Sequence, residues 1–286
     1  MLKEIVEYFT PRELVEAQEF LIKHFPEAAV VGGGLDLTWR ERKGIKYLIS
    51  LDKLPLKFIR RRDGFLEIGA TTTIRELIEF FLPGDEFPDF LKPALKRVAT
   101  PLLRGVITIG GALARAYPWG DLPPIFMGLE SQIELFDGEA RVLPLQEFYT
   151  GDFREALRKA ILTKIILPLN PQKFTSYRRF TRTEVDIPLF NQIVSLEIME
   201  GKVKWARVLM GARPGFPYEE FELEEFLLGK MLDEDLIIRA SDLLKKIARV
   251  ESDFRLSREY RRHLSGVFLE ENLREIKGKY DSQFHA

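Results

Sequence analysis

The 286-residue sequence contains no cysteine and only three histidines. Without thiols the chain holds no disulfide, no thiolate metal site, no iron–sulfur cluster of its own and no cofactor tethered through sulfur. The histidines, His24, His263 and His285, are too scattered for a zinc triad, and no GxSxG elbow marks a serine nucleophile. No apolar run approaches the roughly 20 residues that cross a bilayer. The opening MLKEIVEYF lacks the apolar core of a signal peptide, so a cytoplasmic location is expected. An excess of one charge is missing too. The 43 Lys and Arg against 44 Asp and Glu build no field for nucleic acid or an anionic membrane. The triplet Arg60, Arg61, Arg62, ahead of Asp63 and Gly64, reads as a solvated turn rather than a nucleic-acid patch.

What the chain does have is glycine concentrated in two loops, VVGGGLDL (Val30 to Leu37) and TIGGALARAYPWGDLPP (Thr108 to Pro124). Each follows an expected strand and brings backbone without side chains to a place where a diphosphate could accept from amides. Glycine clusters are also ordinary turn punctuation. The pair together reads as two walls of one nucleotide groove. Leu35 and Asp36 follow Gly34 where a P-loop needs lysine and a hydroxyl, so no Walker lysine is present. Gly32, Gly33 and Gly34 are contiguous rather than spaced as GxGxxG, and LTWRERKG after them is too short and polar for a Rossmann crossover helix. The expected ligand is therefore not ATP or GTP on a Walker loop.

Along the chain, Thr10, Pro11 and Glu13 predict a helix capped at Thr10 and running to His24. AAVV and IKYLISL read as short buried strands of a first lobe. FLEIGA leads through Thr73 to a helix over Ile74 to Leu82, with another over Phe90 to Ala99. DLPPIFMGLE predicts a short helix from Asp121, and SQIELF with ARVLPL a hairpin turning at Asp137 and Gly138. TKIILPL closes the second lobe. From Phe174 the pattern changes to hairpins, NQIVSLEIMEG with KVKWARVLMG, then to three helical stretches between Glu220 and Leu273. Asn170 and Pro171 suit a linker.

These stretches resemble the FAD-binding medium subunit of molybdenum hydroxylases, such as the carbon monoxide dehydrogenase and xanthine dehydrogenase flavoproteins. That family carries AGGTDL-like and TIGGNLAHADPAGDLPP-like loops in the same order and spacing. The resemblance also covers YFTPRELVEA (Tyr8 to Ala17), FLEIGATTTIREL (Phe65 to Leu77), SYRRFTRTEVDIP (Ser176 to Pro188) and SREYRRHLSGVFLEENL (Ser257 to Leu273). It implies an α+β chain. Its first part, residues 1–170, would be a two-lobed FAD-binding domain of the vanillyl-alcohol-oxidase/p-cresol-methylhydroxylase type, with lobes of about 1–55 and 56–170. A smaller α+β domain over 171–286 would follow.

The resemblance implies non-covalent FAD extended between the two lobes. Ala29, Val30 and Val31 lead into the first cofactor loop, Gly32, Gly33, Gly34, Leu35 and Asp36, whose glycine amides would approach the pyrophosphate. Thr108, Ile109, Gly110, Gly111 and Ala112 align with the second loop. Asp121 aligns with an acid near the ribityl and phosphate region, and also suits a helix cap. Ile161 aligns with an apolar residue lining the flavin, and reads equally as strand core. Arg179 stands where the family has a lysine pointing at the cofactor.

The departures are Leu35 for the family's Thr, Ala112 for Asn or Ser, Arg115 for His or Asn, and Tyr117 for an acid. Arg115 supplies a cation to the diphosphate or is simply solvated. Tyr117 and Trp119 stack on a ring of the cofactor or pack the lobes.

By resemblance the chain is an oxidoreductase subunit. A large partner would carry molybdopterin, a small partner [2Fe–2S] clusters, and the flavin here would receive electrons and pass them to NAD or oxygen. Two alternatives remain: a degenerate homologue without FAD acting as a scaffold or assembly protein, and a stand-alone flavin reductase on the same fold.

Overall fold

The computed structural model describes residues 4–39, 44–81, 89–169 and 172–284. The expected linker at Asn170 and Pro171, the expected helix end at Leu82, and His285 lie outside the described residues. The chain forms two compact units. The first comprises Met1–Pro83, Thr100–Arg115 and Glu130–Pro168, and the second Gly84–Ala99, Ala116–Leu129 and Leu169–Ala286.

In the first unit a three-stranded parallel sheet is ordered Glu7–Phe9, Tyr47–Ser50, Ala28–Val31. The strand Glu7–Phe9 displaces the expected helix start. Thr10 is no cap: the helix is Leu14–His24, and the Glu16 carboxylate accepts from the amides of Arg12 and Glu13 at 2.8 and 3.3 Å. The chain needs Pro11 and Arg12 to turn out of the strand before the helix can begin. Ala17 and Leu21 of this helix pack on Ile49 and Leu51.

The second sheet of this unit is antiparallel and ordered Ile59–Arg62, Phe65–Gly69, Ile161–Pro168, Gln132–Phe136, Ala140–Pro144. Alternate residues Leu66, Ile68, Ile133, Leu135, Ile165 and Leu167 are fully buried, the period-two pattern of a half-covered sheet. Lys164 sits between Glu67 and Glu134, 3.1 Å from each. Arg60 to Arg62 are strand rather than turn. The reversal falls on Asp63 and Gly64, both at positive φ, as a two-residue hairpin of the primed type requires. Thr73 caps the helix Ile74–Phe80 through a capping box with Glu76, an arrangement worth about 1 kcal/mol.

In the second unit an antiparallel sheet runs Tyr218–Glu219, Lys202–Gly211, Phe190–Met199, Lys173–Phe180. One face, including Val194, Leu196 and Val208, packs on the helices Glu234–Ile247 and Arg258–Phe284 through Leu236, Ile237, Leu269 and Leu273. The last helix continues beyond Leu273. The other face carries Ile193 and Ser195, which meet the helix Leu122–Gly128. Ser195 Oγ donates to the Gly128 carbonyl at 3.0 Å, and a Cβ on Gly128 would lie 2.7 Å from Ile193. That contact is why Ala116–Leu129, expected in the first domain, groups with the second unit.

Candidate functional site

The first glycine loop leaves the strand Ala28–Val31 as its register with Tyr47–Ser50 ends at Val31 and Ser50. Gly34, at φ +72°, turns the chain into the short helix Leu35–Trp39, and Thr38 returns hydrogen bonds to the Gly34 carbonyl. Only glycine takes that φ without strain. Gly32, Gly33 and Gly34 are half-buried, and among the described residues their amides donate to no backbone carbonyl. Three successive donors in this state form the kind of concavity that receives an anion.

The second loop is different from its expected form. Thr108 ends a bridge to Thr73, and the helix Ile109–Arg115 starts at once, with Thr108 Oγ1 accepting from the Gly111 amide at 3.1 Å. Ile109 donates to Thr72, Gly110 to Ala70, and Ala112 to Thr108. The amides at 109 to 112 are thus all engaged within the protein. A Cβ on Gly110 would lie 2.5 Å from the Ala70 Cβ and 2.7 Å from its carbonyl. Here glycine serves close packing, and of the two loops it is the first whose successive glycine amides lack a backbone acceptor among the described residues.

The two loops touch. A Cβ on Gly32 would lie 2.9 Å from Thr108 Oγ1, and one on Gly33 would lie 1.8 Å from the Val106 carbonyl oxygen. They are also joined by charge. Arg115 Nε donates to Asp36 Oδ1 at 2.8 Å, with the side chains 25% and 34% exposed. Arg115 therefore is not the solvated arginine of one sequence reading. Each partner suits its helix, the acid in a first turn and the base in a last turn.

Ile161 is 1% exposed among Leu21, Ile49 and Leu51, so its side chain belongs to the core cluster that backs the parallel sheet. Ala29 is likewise in a core cluster, with Leu37 and Leu48. Val30 and Val31 pack at the edges of these two clusters, respectively.

Asp121 and Arg179 belong to the second unit and to each other. Arg179 Nε is 3.2 Å from Asp121 Oδ1, an ion pair whose angle falls short of a hydrogen bond. The Tyr177 hydroxyl donates to the same oxygen at 2.5 Å. Asp121 precedes its helix without capping it through the side chain. Burial raises its pKa, opposed by the Arg179 guanidinium and by the Tyr177 hydrogen bond. Burial and the neighbouring carboxylate push the Tyr177 phenol well above its usual range. The Arg179 terminal nitrogens donate to the carbonyls of Arg97, Glu184 and Asp186. Trp119 stands edge-on to Tyr117 at 5.3 Å and lies under the Arg255 guanidinium at 4.6 Å, so both aromatics have packing roles in this unit.

Sequence reasoning missed Val106, Ala70 and Thr72, which hold the loops, and the partnership of Asp36 with Arg115. The one available signal was that a base had replaced a neutral residue in the second loop while an acid stood in the first. Among the described residues no cluster of His, Asp or Glu is arranged to hold a metal. No helix there is long and apolar enough to cross a membrane.

The first unit thus offers backbone donors suited to an anion, and the second is a sheet domain backed by helices. The comparisons narrow this reading. The family described as FAD binding domain in molybdopterin dehydrogenase matches residues 4–170, and the CO dehydrogenase flavoprotein C-terminal domain matches residues 175–276. The chain belongs to this family, as an FAD-binding medium subunit of the molybdenum hydroxylases, and is an oxidoreductase subunit.

It is 27% identical over 286 residues to the carbon monoxide dehydrogenase medium chain of Afipia carboxidovorans, covering 98% of this chain and 99% of that one. It is 22% identical over 274 residues to the glyceraldehyde dehydrogenase medium chain of Sulfolobus acidocaldarius, covering 94% and 97%. A solved carbon monoxide dehydrogenase from Hydrogenophaga pseudoflava, lacking the Mo-pyranopterin moiety, shares the fold with a TM-score of 0.86 at 24% identity, over 96% of this chain and 98% of that one.

Proposed function

We propose that the chain is the electron-transfer flavoprotein of a molybdenum hydroxylase complex. It receives electrons from a small partner bearing [2Fe–2S] clusters and passes them to NAD or oxygen, while a large partner bearing molybdopterin hydroxylates the organic substrate. The observation that carries the reading is the triplet of half-buried Gly32, Gly33 and Gly34 amides, without backbone acceptors among the described residues, beside an Asp36 carboxylate that is paired with Arg115. Those residues fit a diphosphate. Leu35 offers no hydroxyl, so the backbone carries the recognition.

When bound, the flavin supplies reversible redox chemistry that no side chain of this protein provides. The chain's own part is to hold the diphosphate, exclude water with the lobe cores and set the electrostatic surroundings. The parallel three-stranded sheet beside an antiparallel five-stranded sheet supports assigning the first part to the two-lobed vanillyl-alcohol-oxidase/p-cresol-methylhydroxylase type. The family matches at 4–170 and 175–276 support a sequence division near residue 170. In this reading Asp121 and Arg179 organise the second unit.

An absorbance spectrum from 300 to 550 nm, taken before and after incubation with FAD and desalting, tests the cofactor. Retained flavin bands are expected, followed by NAD⁺ or oxygen reduction when the partner subunits are added. A flat spectrum in both conditions overturns the reading in favour of a scaffold. Flavin retained without any partner association favours a stand-alone reductase.

A further inference from the structure

The Asp36–Arg115 pair has a consequence beyond cofactor identity, though it rests on the reading of Gly32 to Gly34 as a diphosphate cradle. Two residues of chain reach no further than about 7 Å, so Asp36 stands within about one Debye length of anything bound at the Gly34 amide. An uncompensated carboxylate there repels a diphosphate. Arg115, carried to it from the end of the helix Ile109–Arg115 across 79 residues of sequence, holds that carboxylate at 2.8 Å.

We propose that Arg115 is a positioning residue that sets the anion affinity of the cradle by masking Asp36, so that affinity follows the net charge of the pair. A plain mechanical brace between the loops makes a different prediction. It weakens binding equally whichever partner is removed.

Four proteins separate these: wild type, Asp36→Asn, Arg115→Met and the double variant. Each is titrated with FAD and, separately, with inorganic pyrophosphate, and its thermal midpoint without ligand is recorded to show that it is folded. Binding to Asp36→Asn is expected to be as tight as wild type or tighter. Binding to Arg115→Met is expected to be about tenfold weaker, the effect of one partly screened charge at this range. The double variant should recover most of the loss, whereas a lost brace would leave it as weak as either single variant.

Equal weakening of both single variants overturns the proposal, as does equal affinity of all four proteins for pyrophosphate. If pyrophosphate follows the charge order while FAD binds none of the proteins, the flavin reading fails and the masking role stands. If neither probe binds any folded protein, the cradle is no anion site and the proposal falls.

Discussion

Gly33 faces the Val106 carbonyl so closely that a Cβ would lie 1.8 Å from that oxygen. The neighbour is backbone, so it cannot swing aside as a flexible side chain would. The first glycine loop is therefore glycine-rich for two reasons at once: Gly34 for its left-handed φ, and Gly33 for the approach of the second loop.

The expected outcome of Gly33→Ala is separation of the two loops. FAD retention after desalting should be lost, and the thermal midpoint of the first unit should drop. Gly278→Ala is the control, because a Cβ there meets nothing within 4 Å in the middle of a helix. It should raise stability by up to about 1 kcal/mol. Retained flavin in Gly33→Ala would show that the loops can part without losing the cradle.

The buried Asp121–Arg179 pair predicts a strong asymmetry between single and double variants. Both side chains are at most 5% exposed. Removing the cation with Arg179→Met leaves a buried carboxylate uncompensated, at a cost of about 3–5 kcal/mol. Adding Asp121→Asn to that variant should restore part of the loss, since Tyr177 can still donate to the amide oxygen. Urea midpoints of the second unit measure both. Additive losses would show that the two side chains do not act as a pair.

Much of the fold was legible because it is local. Alternation in FLEIGA and SQIELF and the apolar run in TKIILPL mark strands of one sheet, and Thr73 with Glu76 announces a capping box. The strand Glu7–Phe9 was not legible: three residues carry no period, and their partner lies 40 residues away at Tyr47. The same limit hid the grouping of Ala116–Leu129, which depends on Ser195 reaching Gly128. At the site, the glycines were visible and their duties were not. Gly110 packs closely on Ala70, a duty the sequence does not announce, while Asp36 and Arg115 needed the fold to meet.

Glu224 gives the second unit a pH dependence of definite sign. Its carboxylate accepts from the Val208 amide at 2.7 Å, but burial is the larger influence and, with nearby Glu219, raises its pKa to about 8. The folded state therefore binds a proton that the unfolded state, with a pKa of about 4.3, releases. Between these values stability falls as pH rises, and it levels off above about pH 8. Glu224→Gln keeps an acceptor for Val208 and removes the titration. Its denaturation midpoint should be flatter across this range and exceed wild type at pH 8. Parallel pH curves would sink the assignment.

Arg261 is the largest fully buried side chain among the described residues, and it anchors the loop before the last helix. Its nitrogens donate to the carbonyls of Leu189, Glu251 and Leu256, and Nη2 pairs with Asp253 at 2.9 Å. Burial works against the Asp253 charge, but Arg261, Arg255 and the Arg255 and Leu256 amides outweigh it and hold the carboxyl well below its usual range. A depressed carboxyl contributes stability that is fully present above the unfolded pKa of about 3.9 and is lost as pH falls below it. Arg261→Met should cost the second unit about 3–5 kcal/mol at neutral pH, because it takes a donor from the carbonyls of Leu189, Glu251 and Leu256 and a buried cation from the Asp253 carboxylate. It should also shrink the loss on acidification, since Asp253 then has less charge stabilisation to give up. Urea midpoints at pH 7 and pH 3 read both effects. An acid loss in Arg261→Met as large as in wild type would mean that the Arg255 contacts, at 3.0 to 3.2 Å from the same carboxylate, are what hold Asp253 ionised.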